Sequence, residues 1–316
     1  MATGTDVNRV VYGCMGLGGA WDDSPVTAAD VEQAEAAVAA AVESGITVFD
    51  HADIYRRGKA ERVFGEVLAR DRGLRERITL QTKVGIRLAE PGRVGHYDLR
   101  AERIERGVAE SLERLRTDVL DVLLLHRPDP LADPDEIAGA LESVHRQGLV
   151  RRVGVSNMGA PQIAALQARL SIPVVVNQVE MSLGARDWVE AGVLVNTPAA
   201  AANGFPFGLL EHCAATGVRL QAWGALAGGR YTGLAESPAE LAASEVVARL
   251  AKEKGTTGET IVLWWLTRHP ARIEAVIGTS RPERIRACRD AVTREAELSH
   301  EEWYELWVAA RGERLP

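Results

Sequence analysis

Lysine is scarce in this chain. Only Lys59, Lys83, Lys252 and Lys254 occur in 316 residues, and the other basic side chains are arginines. The position of each lysine is therefore informative. No run of Lys or Arg stands out, and the formal net charge is −7. An acidic chain without a basic stripe is a poor partner for nucleic acid or an anionic membrane. Cysteine is also sparse. Cys14, Cys213 and Cys288 are odd in number and widely spaced, which excludes a disulfide framework and a zinc cluster. The apolar stretches fall far short of the roughly 20 residues that span a bilayer. Met1 to Asn8 is short and polar, without the apolar core of a signal peptide. Together these absences predict a protein of the reducing cytoplasm.

Several nucleotide and metal motifs are missing as well. Gly16-Leu17-Gly18-Gly19-Ala20-Trp21 lacks the third glycine of a dinucleotide fingerprint, and no helix opens there. Gly255-Thr256-Thr257-Gly258 has no Gly-Lys-Ser/Thr and is not a phosphate loop. His300-Glu301-Glu302-Trp303-Tyr304 lacks the second histidine of a zinc protease. His51 and Asp53 lie close in sequence, but no second histidine joins them at ligand spacing, so no metal site is expected. That argues against a metal-dependent hydrolase.

What is present is a hydrophobic fraction of 46% with 26% charged residues, the balance of a protein with a sizeable core. Short runs rich in Val, Ile and Leu predict eight strands: Val10–Tyr12, Thr47–Asp50, Ile78–Lys83, Val119–His126, Val150–Ser156, Val174–Glu180, Arg219–Trp223 and Ala275–Ile277. Near-continuous apolar runs such as Val122-Leu123-Leu124-Leu125 suit parallel strands buried on both faces. Helical periodicity fills the gaps. From Thr27 to Ser44, Val31, Ala34, Val38, Ala41 and Val42 recur at helical spacing behind a Thr27/Asp30 cap, with Gly45 as the stop. Arg103–Leu115, Asp135–Gln147 and Leu209–Ala215 repeat the arrangement. The alternation predicts an α/β protein, one (β/α)8 TIM barrel over residues 1–316. The stretch from Gly184 to Phe207 reads as a long irregular loop. Trp264, Trp265, Trp303 and Trp307 fall on helical segments and are expected to pack on the barrel. Cys14 and Cys288 are expected to be buried small hydrophobes.

Chemistry in such a barrel sits at the C-terminal ends of the strands. There the sequence places Asp50, then Tyr55, then Lys83, then His126. Each taken singly has an ordinary structural explanation: an ion pair, a loop tyrosine, a strand-end histidine. Taken together they form an acid–base group. A tyrosine is a poor acid near neutrality, with a reference pKa of about 10. An ammonium beside it favours the phenolate, and a carboxylate beside the ammonium keeps that charge in place. Such a group can protonate an oxygen while a hydride arrives at carbon.

The order Asp50-His51-Ala52-Asp53-Ile54-Tyr55, Lys83 and Leu125-His126-Arg127-Pro128-Asp129 resembles the aldo-keto reductases. So do Gly154-Val155-Ser156-Asn157 and Asn177-Gln178-Val179-Glu180. Within that family the segments His51–Tyr55, Gly95-His96-Tyr97 and His126–Leu131 are similar to those of a group of bacterial oxidoreductases. The resemblance implies reversible, NADPH-dependent reduction of a small carbonyl substrate, with Tyr55 as proton donor. Lys83 would lower the Tyr55 pKa, Asp50 would pair with Lys83, and His126 would orient the carbonyl. It implies that Ser156, Asn157 and Gln178 bond the nicotinamide carboxamide and that Trp223 stacks on the ring. Gly224, Leu226, Gly228 and Gly229 would line the pyrophosphate. Gly278, Thr279, Ser280 and Arg284 would hold the adenosine 2′-phosphate, with help from Arg281 and Arg286. Trp21, Met158 and Trp188 would wall the substrate pocket, and Tyr231 would lie near it. Two departures concern cofactor affinity more than chemistry. Gly224-Ala225 follows Trp223 where the family often has Ser-Pro, and Ala287-Cys288 stands where many members carry Glu-Asn. A second reading keeps the barrel and cofactor but makes the protein a sensing or regulatory subunit.

Overall fold

The computed structural model describes residues 9–316; the expectation for Met1–Asn8 lies outside them. Eight parallel strands close into a barrel. They are β1 (Val10–Gly13), β2 (Val48–Asp50), β3 (Thr79–Val84), β6 (Leu120–Leu125), β7 (Val150–Ser156), β8 (Val174–Glu180), β9 (Arg219–Trp223) and β10 (Glu274–Ile277). The order around the barrel is β1-β10-β9-β8-β7-β6-β3-β2, closing on β1. Two further short strands, β4 (Ile86–Arg87) and β5 (His96–Tyr97), form a separate antiparallel hairpin after β3. The predicted strands match to within a residue or two. β6 stops at Leu125, which leaves His126 at the mouth rather than within the ladder.

Helices cover the outside: α1 (Ala28–Glu43), α2 (Lys59–Arg70), α3 (Leu74–Arg77), α4 (Ala101–Leu115), α5 (Pro134–Arg146), α6 (Ala160–Gln167), α7 (Asp187–Val193), α8 (Leu209–Thr216), α9 (Pro238–Glu253), α10 (Gly258–Thr267), α11 (Pro282–Arg286), α12 (Arg289–Thr293) and α13 (His300–Arg311). At the start of α1 the Thr27 hydroxyl accepts from Asp30 N–H while the Asp30 carboxylate accepts from Thr27 N–H. This reciprocal box satisfies two amides that a helix start leaves free. The Gly184–Phe207 stretch is not one irregular loop. It contains α7 and a 3-10 turn at Pro198–Ala202. Asn203 Nδ2 donates to Asp187 O, and Gly204 N–H to the Asp187 carboxylate, folding the segment onto α7. No helix among the described residues is long and apolar enough to cross a membrane.

Two layers of side chains fill the molecule, and period-two alternation separates them. Residues such as Phe49, Leu80, Leu123, Val153 and Leu220 join the continuous apolar layer between strands and helices. The alternate positions enclose only two small apolar groups, Val11/Val48/Val276 and Val122/Leu124/Val176. Polar residues of the same parity accompany them: Asp50, Gln81, Lys83, Gln178, Gln221 and Glu274, all buried. In the outer layer Trp265 and Trp303 stack with ring centroids 5.2 Å apart. Each indole N–H donates to the other's carbonyl, at 3.1 and 2.7 Å, which fastens α13 to α10. Trp264 and Trp307 are buried in the same layer, so these tryptophans pack as expected. Cys14 and Cys288 are buried too, and burial pushes the Cys288 thiol up to about 12 and the Cys14 thiol well above its ordinary range.

Candidate active site

β3 carries Lys83 on the inward parity, and the β2–β3 register sets Asp50 opposite Gln81. The Lys83 ammonium therefore reaches Asp50 Oδ2 at 2.6 Å inside the barrel. It also donates to His51 O at 2.9 Å and to Tyr55 Oη at 3.0 Å. All three donors of the ammonium are used. Asp50 Oδ1 accepts from Gln81 Nε2 at 2.6 Å, so both carboxylate oxygens are held. The Tyr55 ring stands edge-on to His126, centroids 5.9 Å apart.

Tyr55 is presented by an uncommon backbone. Arg56 and Arg57 both adopt left-handed φ, 50° and 58°, and Gly58 follows at 82°. A left-handed turn costs a non-glycine residue about 1–2 kcal/mol, so tertiary contacts must hold it. Arg56 Nε donates to Met15 O at 3.1 Å and its guanidinium lies over the Trp21 ring at 5.5 Å. Arg57 pairs with Asp23 at 2.5 Å, and Lys59 with Asp22 at 2.8 Å.

The electrostatics follow from burial. Burial lifts the Tyr55 phenol above its ordinary value, and the Lys83 ammonium pulls it back without cancelling the rise. The expected downward pull of the lysine is present, and the desolvation of the phenol outweighs it. Burial also opposes the Lys83 charge, but the attraction of Asp50 and Tyr55 outweighs it and holds the ammonium above its usual value. Burial, then Lys83, then Arg127 keep His126 well below its ordinary pKa, so its ring is neutral.

A cavity of about 880 Å³ opens over this group. Trp21, Ile54, Tyr55, His126 and Arg127 line it, as do Ser156, Asn157, Gln178 and Trp223, and Asn157 Nδ2 donates to His126 O at 3.4 Å where the two sets meet. Gly224, Leu226, Gly228, Gly229, Gly278, Thr279, Arg281 and Arg284 carry it outward over β9 and β10. Ser156 Oγ donates to Gln178 O at 2.8 Å, Asn157 Nδ2 to Ser156 Oγ at 2.7 Å, and Trp223 Nε1 to Asn157 Oδ1 at 3.1 Å. After β9 the backbone turns left-handed at Gly224, Ala227, Gly228 and Gly229. A Cβ on Gly229 would stand 3.3 Å from Leu234 Cδ1 and 3.5 Å from Arg284 Nη2, filling the strip between the loop and that arginine. Arg284 is not idle: Nη2 donates to Glu259 at 2.9 Å and to Thr232 Oγ1 at 2.7 Å.

Five expected positions fall elsewhere. Trp188 is buried in α7, edge-on to Trp265 and His269, away from the cavity. Met158 is buried beneath the mouth, where its carbonyl accepts from Asn177 Nδ2 at 2.8 Å. Tyr231 is buried with its hydroxyl on Leu183 O at 3.2 Å. Ser280 does not line the cavity and stands against Gly16, while Arg286 pairs with Glu43 at 2.9 Å. The loops carrying these residues give no periodic signal that separates a wall from packing. Conversely, Gln81 and Gln221 emerge as part of the site's support. Gln221 Oε1 accepts from Gln81 Nε2 at 2.9 Å and from Gln178 Nε2 at 3.0 Å, and Gln221 Nε2 donates to Glu274 at 3.0 Å. The parity of Gln81 with Lys83 on β3 is a sequence signal that could have found the first of them. No group of three or more His, Cys, Asp and Glu among the described residues is arranged to hold a metal ion.

The profile of the Aldo/keto reductase family matches residues 9–308. The chain is 36% identical over 315 residues to 6-dehydroglucose reductase of Agrobacterium fabrum, covering 98% of this chain and 96% of the relative. It is 35% identical over 278 residues to oxidoreductase YdhF of Escherichia coli, covering 87% and 86%. An aldo/keto reductase from Klebsiella pneumoniae, solved in complex with NADP and acetate, superposes with a TM-score of 0.71 at 27% identity, covering 94% of this chain and 89% of that one. A closed parallel barrel with an Asp–Lys–Tyr chain at its mouth agrees with these matches over nearly its whole length: the chain belongs to the aldo/keto reductase family.

Proposed function

We propose that this protein reduces an aldehyde or ketone to an alcohol with NADPH, and that Tyr55 delivers the proton. The observation that carries the proposal is the Lys83 ammonium held between Asp50 at 2.6 Å and Tyr55 at 3.0 Å on the floor of an open cavity. The described residues suit the cofactor. The side chains of Ser156, Asn157 and Gln178 offer donors and acceptors to a carboxamide, and Trp223 offers a flat face to a ring. Gly224, Leu226, Gly228 and Gly229 let a pyrophosphate approach the backbone. Thr279 and Arg284, with Arg281 and Gly278 beside them, provide hydroxyl and guanidinium donors for the adenosine phosphate. NADPH bound there would supply a hydride.

The chain's own residues supply the rest. Because burial raises the Tyr55 pKa, the phenol keeps its proton at neutral pH. It gives that proton up only to an oxygen gaining charge as its carbon is reduced. The phenolate left behind faces the Lys83 ammonium in a site shielded from water, where the attraction exceeds its value in bulk solvent. Asp50 and the His51 carbonyl keep the ammonium fixed, so the site needs no reorganisation as charge develops. His126, neutral and in the cavity wall, would donate a hydrogen bond to the carbonyl oxygen from its ring nitrogen Nε2. In the oxidative direction the Tyr55 phenolate takes the alcohol proton.

The test is NADPH consumption with an aromatic aldehyde by wild type and Tyr55→Phe. Wild type turns over, and the variant binds NADPH with kcat lowered by about 100-fold or more. NADPH binding without turnover of any carbonyl by wild type would sink the reductase reading.

A further inference from the structure

Four charged side chains line the cavity: Asp50, Arg127, Arg281 and Arg284. Three have counter-ions. Asp50 is paired with Lys83, Arg281 with Glu283 at 3.3 Å and Arg284 with Glu259 at 2.9 Å. Arg127 has neither an ion pair nor a side-chain hydrogen bond among the described residues. The carboxylate nearest to it in sequence is Asp129, whose oxygens accept from Leu99 N–H at 3.0 Å and Leu131 N–H at 2.9 Å. Arg127 is half-buried, follows His126 directly, and lies close enough for its charge to act on that ring. It follows β6, which lies four strands from β10 in the closed order of eight, opposite the end of the mouth that carries Arg281 and Arg284. A phosphate of the cofactor would meet Arg281 and Arg284 over β10, leaving Arg127 uncompensated.

An unpaired guanidinium in a closing pocket is costly. When substrate displaces its water, five N–H donors lose their partners unless the substrate replaces them. A carboxylate matches the guanidinium fork with two parallel hydrogen bonds and cancels the charge. On that basis we propose that the substrate is an anionic carbonyl compound, an aldehyde or ketone bearing a carboxylate a few atoms from the reacting carbon, and that Arg127 selects it. Trp21 shapes the space between the two groups. It is 42% exposed, and Arg56 lies over its ring at 5.5 Å. A flat or short apolar spacer fits against it. The inference rests on the reductase reading and narrows its substrate class.

The experiment compares kcat/KM for 4-carboxybenzaldehyde and 4-oxobutanoate with those for benzaldehyde and butanal, in wild type, Arg127→Met and Arg127→Lys. A charge-assisted bidentate contact is worth about a tenfold to hundredfold preference. Wild type should favour the acids by that factor, mainly through KM, and added salt should erode the preference. Arg127→Met should bring the acid-to-neutral ratio to within about threefold of unity, and Arg127→Lys should keep part of it. Equal use of acids and neutral aldehydes by wild type overturns the inference while leaving the reductase reading intact. So does an equal loss on both classes in Arg127→Met. If no aldehyde of either class is reduced, both readings fall together.

Discussion

The two arcs of the barrel mouth are built from different materials. On the arc of β2, β3 and β6, side chains hold side chains. Lys83, Asp50 and Gln81 are buried, and their polar heads are tied by bonds of 2.6 Å. On the arc of β9 and β10 the backbone itself is the working surface. Gly224, Ala227, Gly228 and Gly229 all take positive φ, and the charged residue that serves them, Arg284, is held from the rim by Glu259. In the proposed mechanism the first arc presents one proton at one place, which requires rotamers locked by their neighbours. The second lines a long groove that also carries Arg281 and Arg284, and its glycines leave room for a polyanion to approach the backbone. A cut on the first arc should therefore abolish chemistry and cost stability. A cut on the second should cost affinity alone.

Lys83→Met is the strongest way to break the first arc. It removes the charge that stabilises the Tyr55 phenolate and leaves Asp50 buried without its ion-pair partner. Turnover should fall by about 100-fold to 10,000-fold, and unfolding free energy by about 3–5 kcal/mol, the cost of orphaning one member of a buried pair. Steady-state kinetics and urea titration measure the two losses. Adding Asp50→Asn to Lys83→Met should restore most of the stability and none of the rate. A double variant that regained turnover would mean that Lys83 is only structural.

Arg284→Ala breaks the second arc. Its expected effect is smaller: NADPH affinity weakened about tenfold by loss of a charge-assisted contact, kcat at saturation unchanged, and NADH affinity little altered. Fluorescence titration of each cofactor reads this directly. The Glu259 bond moderates the loss, since wild-type Arg284 must share its fork with that carboxylate. An equal loss for NADH and NADPH would show that Arg284 serves the loop and not the phosphate.

The arcs also differed in how much of them could be read from sequence. Asp50, Lys83 and His126 stand at the ends of strands whose apolar runs are unmistakable, so their place at the mouth followed from the strand boundaries. The eight barrel strands were legible for the same reason. The hairpin of β4 and β5 was not, because strands of two residues are too short to show alternation. The short helix α7 was hidden within a segment whose Asn196, Pro198 and Gly204 argued for irregular chain. Trp188, Met158 and Tyr231 were misplaced because an apolar side chain in a loop looks the same whether it walls a pocket or packs beneath one. Arg127 was part of a recognised segment, yet its lack of a counter-ion is a property of space. Sequence cannot show which carboxylates are already engaged elsewhere.

The last expected effect, read in stability, lies just outside the acid–base arc, at His51. Its ring is buried against Phe64, centroids 4.6 Å apart, and neither ring nitrogen has a partner. Burial, reinforced by Lys83, pushes its pKa down to about 3. The unfolded chain takes up a proton at this residue below about pH 6.5 while the folded chain does not, so acid favours unfolding. Between pH 6.5 and 3 stability should fall by about 1.4 kcal/mol per pH unit from this group, and above pH 7 it should contribute no slope. His126 adds a fall of the same sign, since burial lowers its pKa too. His51→Leu should therefore lose about 2 kcal/mol less than wild type between pH 7 and pH 5 in urea titrations. Parallel stability curves for the two proteins over that range would show that water or a rearranged neighbour reaches the ring. The first arc would then be less dry than the electrostatic account of Tyr55 and Lys83 requires.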